Sequence, residues 1–336
     1  SEIFRIMIIR LFKGVLPSNL LLTIFIAIIC WAPVFFVETT VAQEFTLQSL
    51  TDAFAWLNAQ WEYSTIVVIL VLIVVQAMYI IQVNHKHILI EKRSYLPALI
   101  STLLYLFFIK SPVIVALLLS NLLWLICIDI LFSNSNYVIG IKAMFKIGLL
   151  IALGTLFHWF AVILIPLVWI LSFVTNGLNI RGLLISLVGF ITFWILFGYG
   201  LFLFGDIELF FNGLLGKMKI KEIPHSISME YLPHLVASIL TVMGFFATLF
   251  TLRSRKIIAR KFFTTFFITI IYFIIIVIAS IHASTDFLIF IIIPLTYTTS
   301  EYLLQSRSKW IPSIAFLTFI AGIALLWANE ITGFLQ

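Results

Sequence analysis

The chain has 336 residues, 63% of them hydrophobic and only 10% charged, with a mean hydropathy of +1.20. Soluble domains carry about 25% charged residues, and a water-soluble fold of this size has no interior large enough to hide so much apolar surface. The formal charge of +6 resides in short connectors between apolar runs, where it reads as a topology signal and not as a nucleic-acid surface.

Ser1–Lys13 is basic and apolar, with Arg5, Arg10 and Lys13. No small-residue cleavage pattern follows, so the first long apolar run reads as a retained span. The MIIRLFKG stretch from Met7 looks like a natural start. A span needs about 20 apolar residues. Successive candidates are Asn19–Val37, Ser64–Val83, Tyr95–Ile109, Pro112–Phe132, Arg181–Phe204, Pro233–Leu252, Phe262–Ser280, Thr285–Leu304 and Trp310–Ala328. Between the fourth and fifth lies Ala143–Thr175, which reads either as one long helix or as a short helical hairpin that breaks near His158-Trp159.

Charge decides between them. With a cytoplasmic N-terminus, the hairpin gives about 11 crossings and places 16 of the 20 Lys and Arg inside. The single helix would send the basic connector 253–261 across the membrane. The expected architecture is therefore an all-α polytopic transmembrane bundle. It forms one integral membrane domain over 1–336, in a bacterial inner (cytoplasmic) membrane, with the C-terminus periplasmic. On this topology 10 of the 14 Asp and Glu fall outside, a partition not used to choose it.

Two external segments, 38–63 and 205–232, are more than connectors. In the first, Leu47, Leu50, Phe54, Leu57 and Trp61 recur at helical spacing. Ser49 and Asp52 have the spacing of a capping box. The expected element is a helix lying flat at the outer surface. In the second, Ile207, Phe210, Phe211, Leu214, Leu215 and Met218 form another stripe, followed by Lys217, Lys219 and Lys221.

Chemistry is sparse at depth. Gln76, Asn121 and Thr192 are the main polar residues there, and no charge falls at a midplane, which argues against ion coupling. Asp129 and Glu301 lie near cytoplasmic span ends, Glu301 close to Arg307 and Lys309, as ion pairs or solvated ends. His85-Lys86-His87 reads as a cytoplasmic loop whose histidines do not share a face. Cys30 and Cys127 sit in apolar runs without metal spacing. No phosphate-binding loop, metalloprotease motif or nucleophile elbow occurs, so no cofactor or metal is expected.

The outer face is richer. It carries Glu38, Glu44, Asp52 and Glu62, the lysines at 217–221, and His282 with Asp286, where Asp286 caps its helix through Ser284 or Thr285. A carboxylate there, Asp52 or Glu38, could serve as general base on an acceptor hydroxyl. Lys217, Lys219, His282 and Asp286 could hold a substrate such as a lipid-linked phosphate.

Two resemblances follow from particular stretches. MIIRLFKG with PSNLLLTIFIAIICWAPVFF, Asn84-His-Lys-His with Lys92-Arg-Ser-Tyr-Leu-Pro97-Ala, and Leu178-Asn-Ile-Arg-Gly with Gly189 resemble an uncharacterised family of multispanning Bacteroidetes membrane proteins. Lys146-Ile-Gly-Leu-Leu-Ile-Ala-Leu-Gly-Thr-Leu-Phe-His158, followed by Ile165-Pro166, is similar to the Gly-rich short-helix pair of the GT-C membrane glycosyltransferases. That second likeness implies a first external loop carrying the catalytic acid, and a sugar donor on a polyprenyl phosphate. The acidic pair usual in such loops is absent, so Asp52 or Glu38 would act alone. Two other readings stand beside it: a non-enzymatic membrane subunit that scaffolds an envelope assembly with a membrane-protein partner, and a lipid or polyprenol transporter, which would need a polar path through the bundle.

Overall fold

A computed structural model describes residues 17–31, 45, 48–61, 63–90, 94–108, 111–134, 140–176, 180–204, 232–279, 285–306 and 310–332. Every regular element among them is helical. In chain order these are α1 (Pro17–Trp31), α2 (Gln48–Gln60), α3 (Ser64–His87), α4 (Leu96–Tyr105), α5 (Ile114–Ser133), α6 (Ile141–Phe157), α7 (Leu164–Asn176), α8 (Ile180–Phe204), α9 (Leu232–Thr251), α10 (Ile257–Ala279), α11 (Ile292–Gln305) and α12 (Trp310–Thr332). Short 3-10 turns extend α4 over Leu106–Phe108 and precede α7 at Trp159–Ile163 and α11 at Thr285–Ile291. Six segments are long and apolar enough to cross a membrane: Ser64–His87, Ile114–Ser133, Ile180–Leu203, Ile257–Ile278, Asp286–Gln305 and Trp310–Ala328. This is the pattern of a multi-pass membrane protein.

The Ala143–Thr175 run is broken where its sequence suggested. Helix α6 stops at Phe157, His158 is extended (φ −140, ψ 114), and the chain re-enters a helix at Leu164. Contacts show a reversal. Ser120 of α5 donates to Gly154 O, and the Cys127 thiol lies 4.0 Å from Ile147 O, so α6 runs back along α5. Tyr272 donates to Ile163 O and Lys261 to Thr175 O, so α7 runs back along α10.

Two ends emerge. At one, the ends of α3, α5, α7, α9 and α11 meet the start of α10; it carries Lys86, Asp129, Arg255 and Glu301. At the other, Ser111 before α5 meets Asp286 before α11. Phe160 in the α6–α7 break lies 5.8 Å from Phe287 at that same end. We call these the Glu301 end and the Asp286 end.

Burial grades sharply across the bundle. The segment Asp286–Gln305 is the most polar of the six and 83% buried, whereas Ile180–Leu203 is 17% buried. The Thr-rich helix α11 is thus enclosed by protein, and its hydroxyls turn back on their own helix: Thr298 donates to Pro294 O, Thr299 to Leu295 O and Ser300 to Thr296 O. Such i−4 bonds satisfy hydroxyls without a neighbour. Thr192, read from sequence as polar at depth, is half-buried on α8 and uses the same device toward Val188 O.

Helix α8 meets α6 through small residues. A Cβ built on Gly148 would lie 1.9 Å from Ser186 O, and one on Gly189 would lie 2.4 Å from Phe145 O. Close backbone approach through glycine is the usual substitute for a hydrophobic driving force between helices in lipid. Gly148→Ala should therefore lower the detergent unfolding midpoint by the equivalent of about 2 kcal/mol, the usual scale of overpacking. Gly198→Ala, where a Cβ meets nothing within 4 Å, should leave it unchanged or raise it. Equal effects would contradict this account of the α6–α8 contact.

Candidate functional site

Of the outer-face residues singled out from sequence, Asp52 and Asp286 are described. Glu38, Lys217, Lys219 and His282 lie outside the described residues, as does most of the second external segment. Helix α2 begins at Gln48, and the Ser49 side chain of the expected capping box lies outside the described residues. The Phe45 N–H donates to Thr51 Oγ1 at 3.1 Å. Leu50 and Phe54 pack against the main core, with the Phe54 ring 4.8 Å from buried Phe45. The apolar stripe of α2 thus packs on protein. At its far end Asn58 Oδ1 accepts hydrogen bonds from Ser64 and Thr65, at the head of α3. Asp52 and Trp56 are one turn apart on the opposite, exposed side, and Trp56 is 65% exposed.

Ser284 and the Thr285 side chain, through which the sequence suggested that Asp286 caps its helix, lie outside the described residues. The Asp286 Oδ1 accepts the Ser111 hydroxyl at 3.1 Å, across 175 residues of chain. The bond ties the turn before α5 to the 3-10 turn before α11.

The Glu301 end has a denser polar set. His85-Lys86-His87 is the last turn of α3 and not a loop. The helix stops at Ile88, whose left-handed backbone (φ 50, ψ 49) is rare for a β-branched residue. Asn84 Oδ1 accepts the Ile90 N–H just beyond it. This termination turns His87 inward. Asp129 Oδ1 then accepts Lys86 Nζ at 2.9 Å and lies 2.6 Å from His87 Nε2, while Oδ2 accepts Tyr79 OH at 3.1 Å. The His87 ring stands edge-on to Phe132 and Phe262, each 5.7 Å away. Nearby, Glu301 is fully buried and paired with Arg255, itself 7% exposed. The Arg255 guanidinium lies 4.5 Å over the Phe263 ring and also reaches Gln305 Oε1. Arg255 reaches Glu301 from 46 residues away; the sequence-adjacent Arg307 and Lys309 lie outside the described residues.

A third polar set lies at depth. Tyr105 OH donates to Gln76 Oε1 at 2.6 Å and accepts Asn121 Nδ2 at 2.7 Å; Gln76 Nε2 donates to Leu118 O at 3.0 Å. All three side chains are fully buried, and they staple α3, α4 and α5 together. Sequence marked Gln76 and Asn121 but missed Tyr105, because an aromatic in an apolar run gives no sign of where its hydroxyl points.

Two small cavities are lined by Ile128, Leu171, Thr175 and Thr269 in one case, and by Thr23, Ala77, Ala98 and Thr102 in the other; each holds about 10 Å³, room for about one water. Among the described residues no group of three His, Cys, Asp or Glu side chains is arranged to hold a metal. No family model matches the chain, and no curated protein or solved structure is recognisably similar to it.

The Arg255–Glu301 pair gives a direct test of burial. Breaking a buried pair leaves an uncompensated charge, at about 3–5 kcal/mol, whereas replacing both partners by apolar groups is often neutral. Glu301→Gln and Arg255→Met should each lower stability to chemical unfolding in detergent by about 3 kcal/mol, and the Arg255→Met/Glu301→Met pair should recover most of it. A double variant worse than either single one would contradict the arrangement.

Proposed function

We propose that the chain is an eleven-span protein of a bacterial cytoplasmic membrane, N-terminus inside and C-terminus outside, that serves as a non-enzymatic membrane subunit holding an envelope assembly. The observation that carries this is the orientation of α2. Its apolar residues Leu50 and Phe54 are committed to the bundle, while Asp52 and Trp56 project on the other side, away from it. A catalytic base acting on a lipid-linked substrate needs a walled site that excludes water; an exposed carboxylate one helical turn from an exposed tryptophan suits a contact with another protein. Inside the bundle, Gln76, Tyr105 and Asn121 bond to one another and Arg255 pairs with Glu301.

Purified in mild detergent, the wild-type chain should carry a stoichiometric membrane partner. Asp52→Arg/Trp56→Ala should lose it while keeping the wild-type unfolding midpoint. A monodisperse monomer from native membranes would overturn the scaffold reading.

A second reading, a GT-C-like glycosyltransferase using a polyprenyl-phosphate-linked sugar, is favoured by one feature. The α6–α7 break lies beside Asp286, through the contact between Phe160 and Phe287. Asp52 or Glu38 would be the base there, and Lys217, Lys219, His282 and Asp286 would hold the donor. Asp52→Ala/Glu38→Ala should then cut sugar transfer at least a hundredfold; unchanged transfer removes the catalytic assignment.

A further inference from the structure

The turn between α6 and α7 brings aromatic rings and polar groups together at the Asp286 end. Trp159 stacks on Phe160, with ring centroids 3.9 Å apart and 27° between the planes. Phe160 in turn lies 5.8 Å from Phe287, the residue after Asp286. The Asp286 carboxylate accepts the Ser111 hydroxyl at 3.1 Å. The connectors before α5, α7 and α11 thus meet in one cluster. Trp159, Phe160, Ser111 and Asp286 are each half-buried, so the cluster reaches the surface.

His158 belongs to the same cluster. Its ring stacks on Phe160, with centroids 5.4 Å apart, and it is only 6% exposed. Its Nδ1 is buried and makes no hydrogen bond. A buried polar atom in that state costs free energy. Packing alone would be served better by an apolar side chain here, since the ring beside it is aromatic. Anchoring at the membrane interface needs an aromatic body with an edge turned to headgroups, and it gives this imidazole no partner. A ligand that brings its own hydrogen-bonding groups does.

A pyranose ring has the matching chemistry. Its faces carry C–H groups that pack on the electron-rich face of an aromatic ring, and its rim carries hydroxyls that both donate and accept. Ligand sites commonly combine an aromatic wall with a few converging polar groups. A phosphate suits the cluster poorly, because Asp286 is acidic and neither Lys nor Arg is among these residues. We propose that His158, Trp159, Phe160, Asp286 and Ser111 form a binding site for a pyranose sugar. The sugar face packs on the Trp159 indole, and its hydroxyls bond to His158 Nδ1 and to the Asp286–Ser111 pair. Binding needs neither transfer chemistry nor a partner at α2, so the site stands or falls apart from both readings above.

The test uses the full chain in a detergent without a sugar headgroup, titrated with the methyl glycosides of glucose, galactose, mannose and N-acetylglucosamine. Binding is read by saturation-transfer difference NMR and stability by the unfolding midpoint. At least one glycoside should bind saturably. Trp159→Ala, His158→Phe and Asp286→Asn should each weaken it about fivefold. His158→Phe should do so while holding or raising the midpoint, since it removes a buried polar atom that has no partner. That variant and the near-isosteric Asp286→Asn keep the test decisive should Trp159→Ala fail to fold. Tyr199→Ala, which removes an aromatic 62% exposed on α8, should bind as wild type does. The proposal is overturned if no glycoside binds saturably, if the three cluster variants bind as wild type does, or if Tyr199→Ala loses as much.

Discussion

Hydrocarbon offers a polar group no hydrogen-bond partner, and every other feature of this structure follows from how the chain meets that constraint. Serine and threonine hydroxyls bond to carbonyls three or four residues back on their own helices, as at Thr192, Thr248, Thr269 and Ser300. The amide and phenol groups of Gln76, Tyr105 and Asn121 are gathered into one set joining three helices, while Tyr297 and Tyr272 donate to carbonyls of neighbouring elements. Asp129 and Glu301, the carboxylates turned into the bundle, lie near the ends of their helices and are paired there, Asp129 with Lys86 and His87, Glu301 with Arg255. Each set is made by residues from different helices, so satisfying the polar groups also fixes the helix arrangement.

The same constraint orders the helices from centre to edge. The segment leading into and through α11 carries Asp286, Thr296, Thr298, Thr299, Ser300 and Glu301, and it is the most enclosed of the spans. Tyr297 on it donates to Ile80 O and stacks on Phe266 at 5.1 Å, locking α11 to α3 and α10. Helix α8 has little polar content and most of its surface is free of protein contact. It is held by backbone proximity at Gly148 and Gly189 and by the Trp169 indole on Ser186. Removing the hydrogen bonds of α11 would disturb the whole bundle, whereas α8 can respond to its surroundings with less consequence for the core.

Much of the fold was legible in the sequence, because hydropathy and charge report on solvent directly. The α6–α7 break at His158 could be seen because a run from Ala143 to Thr175 is too long for one crossing and a single helix would strand the basic connector outside. Helix α2 could be seen from Leu50, Phe54 and Leu57. What faces those residues could not, since an apolar stripe looks alike whether it meets lipid or protein. Pairing was equally hidden: Arg255 reaches Glu301 from 46 residues away, and Lys86 reaches Asp129 from 43 residues away. The helical state of His85–His87 was missed because three polar residues after an apolar run look like a loop, when they are the last turn of α3 capped by Ile88 and Asn84.

The two ends of the bundle therefore have different characters. The Glu301 end is a knot of paired charges with a basic connector on its surface; the Asp286 end carries a surface helix that shows Asp52 and Trp56. The scaffold proposal depends on the claim that these ends lie on opposite sides of a membrane. Single cysteines introduced as Asp52→Cys and Lys256→Cys in a Cys30→Ala/Cys127→Ala background test it most directly, with a membrane-impermeant maleimide applied to intact cells and to permeabilised ones. The account predicts labelling of Asp52→Cys in intact cells and of Lys256→Cys only after permeabilisation. Labelling of both from the same side would contradict it.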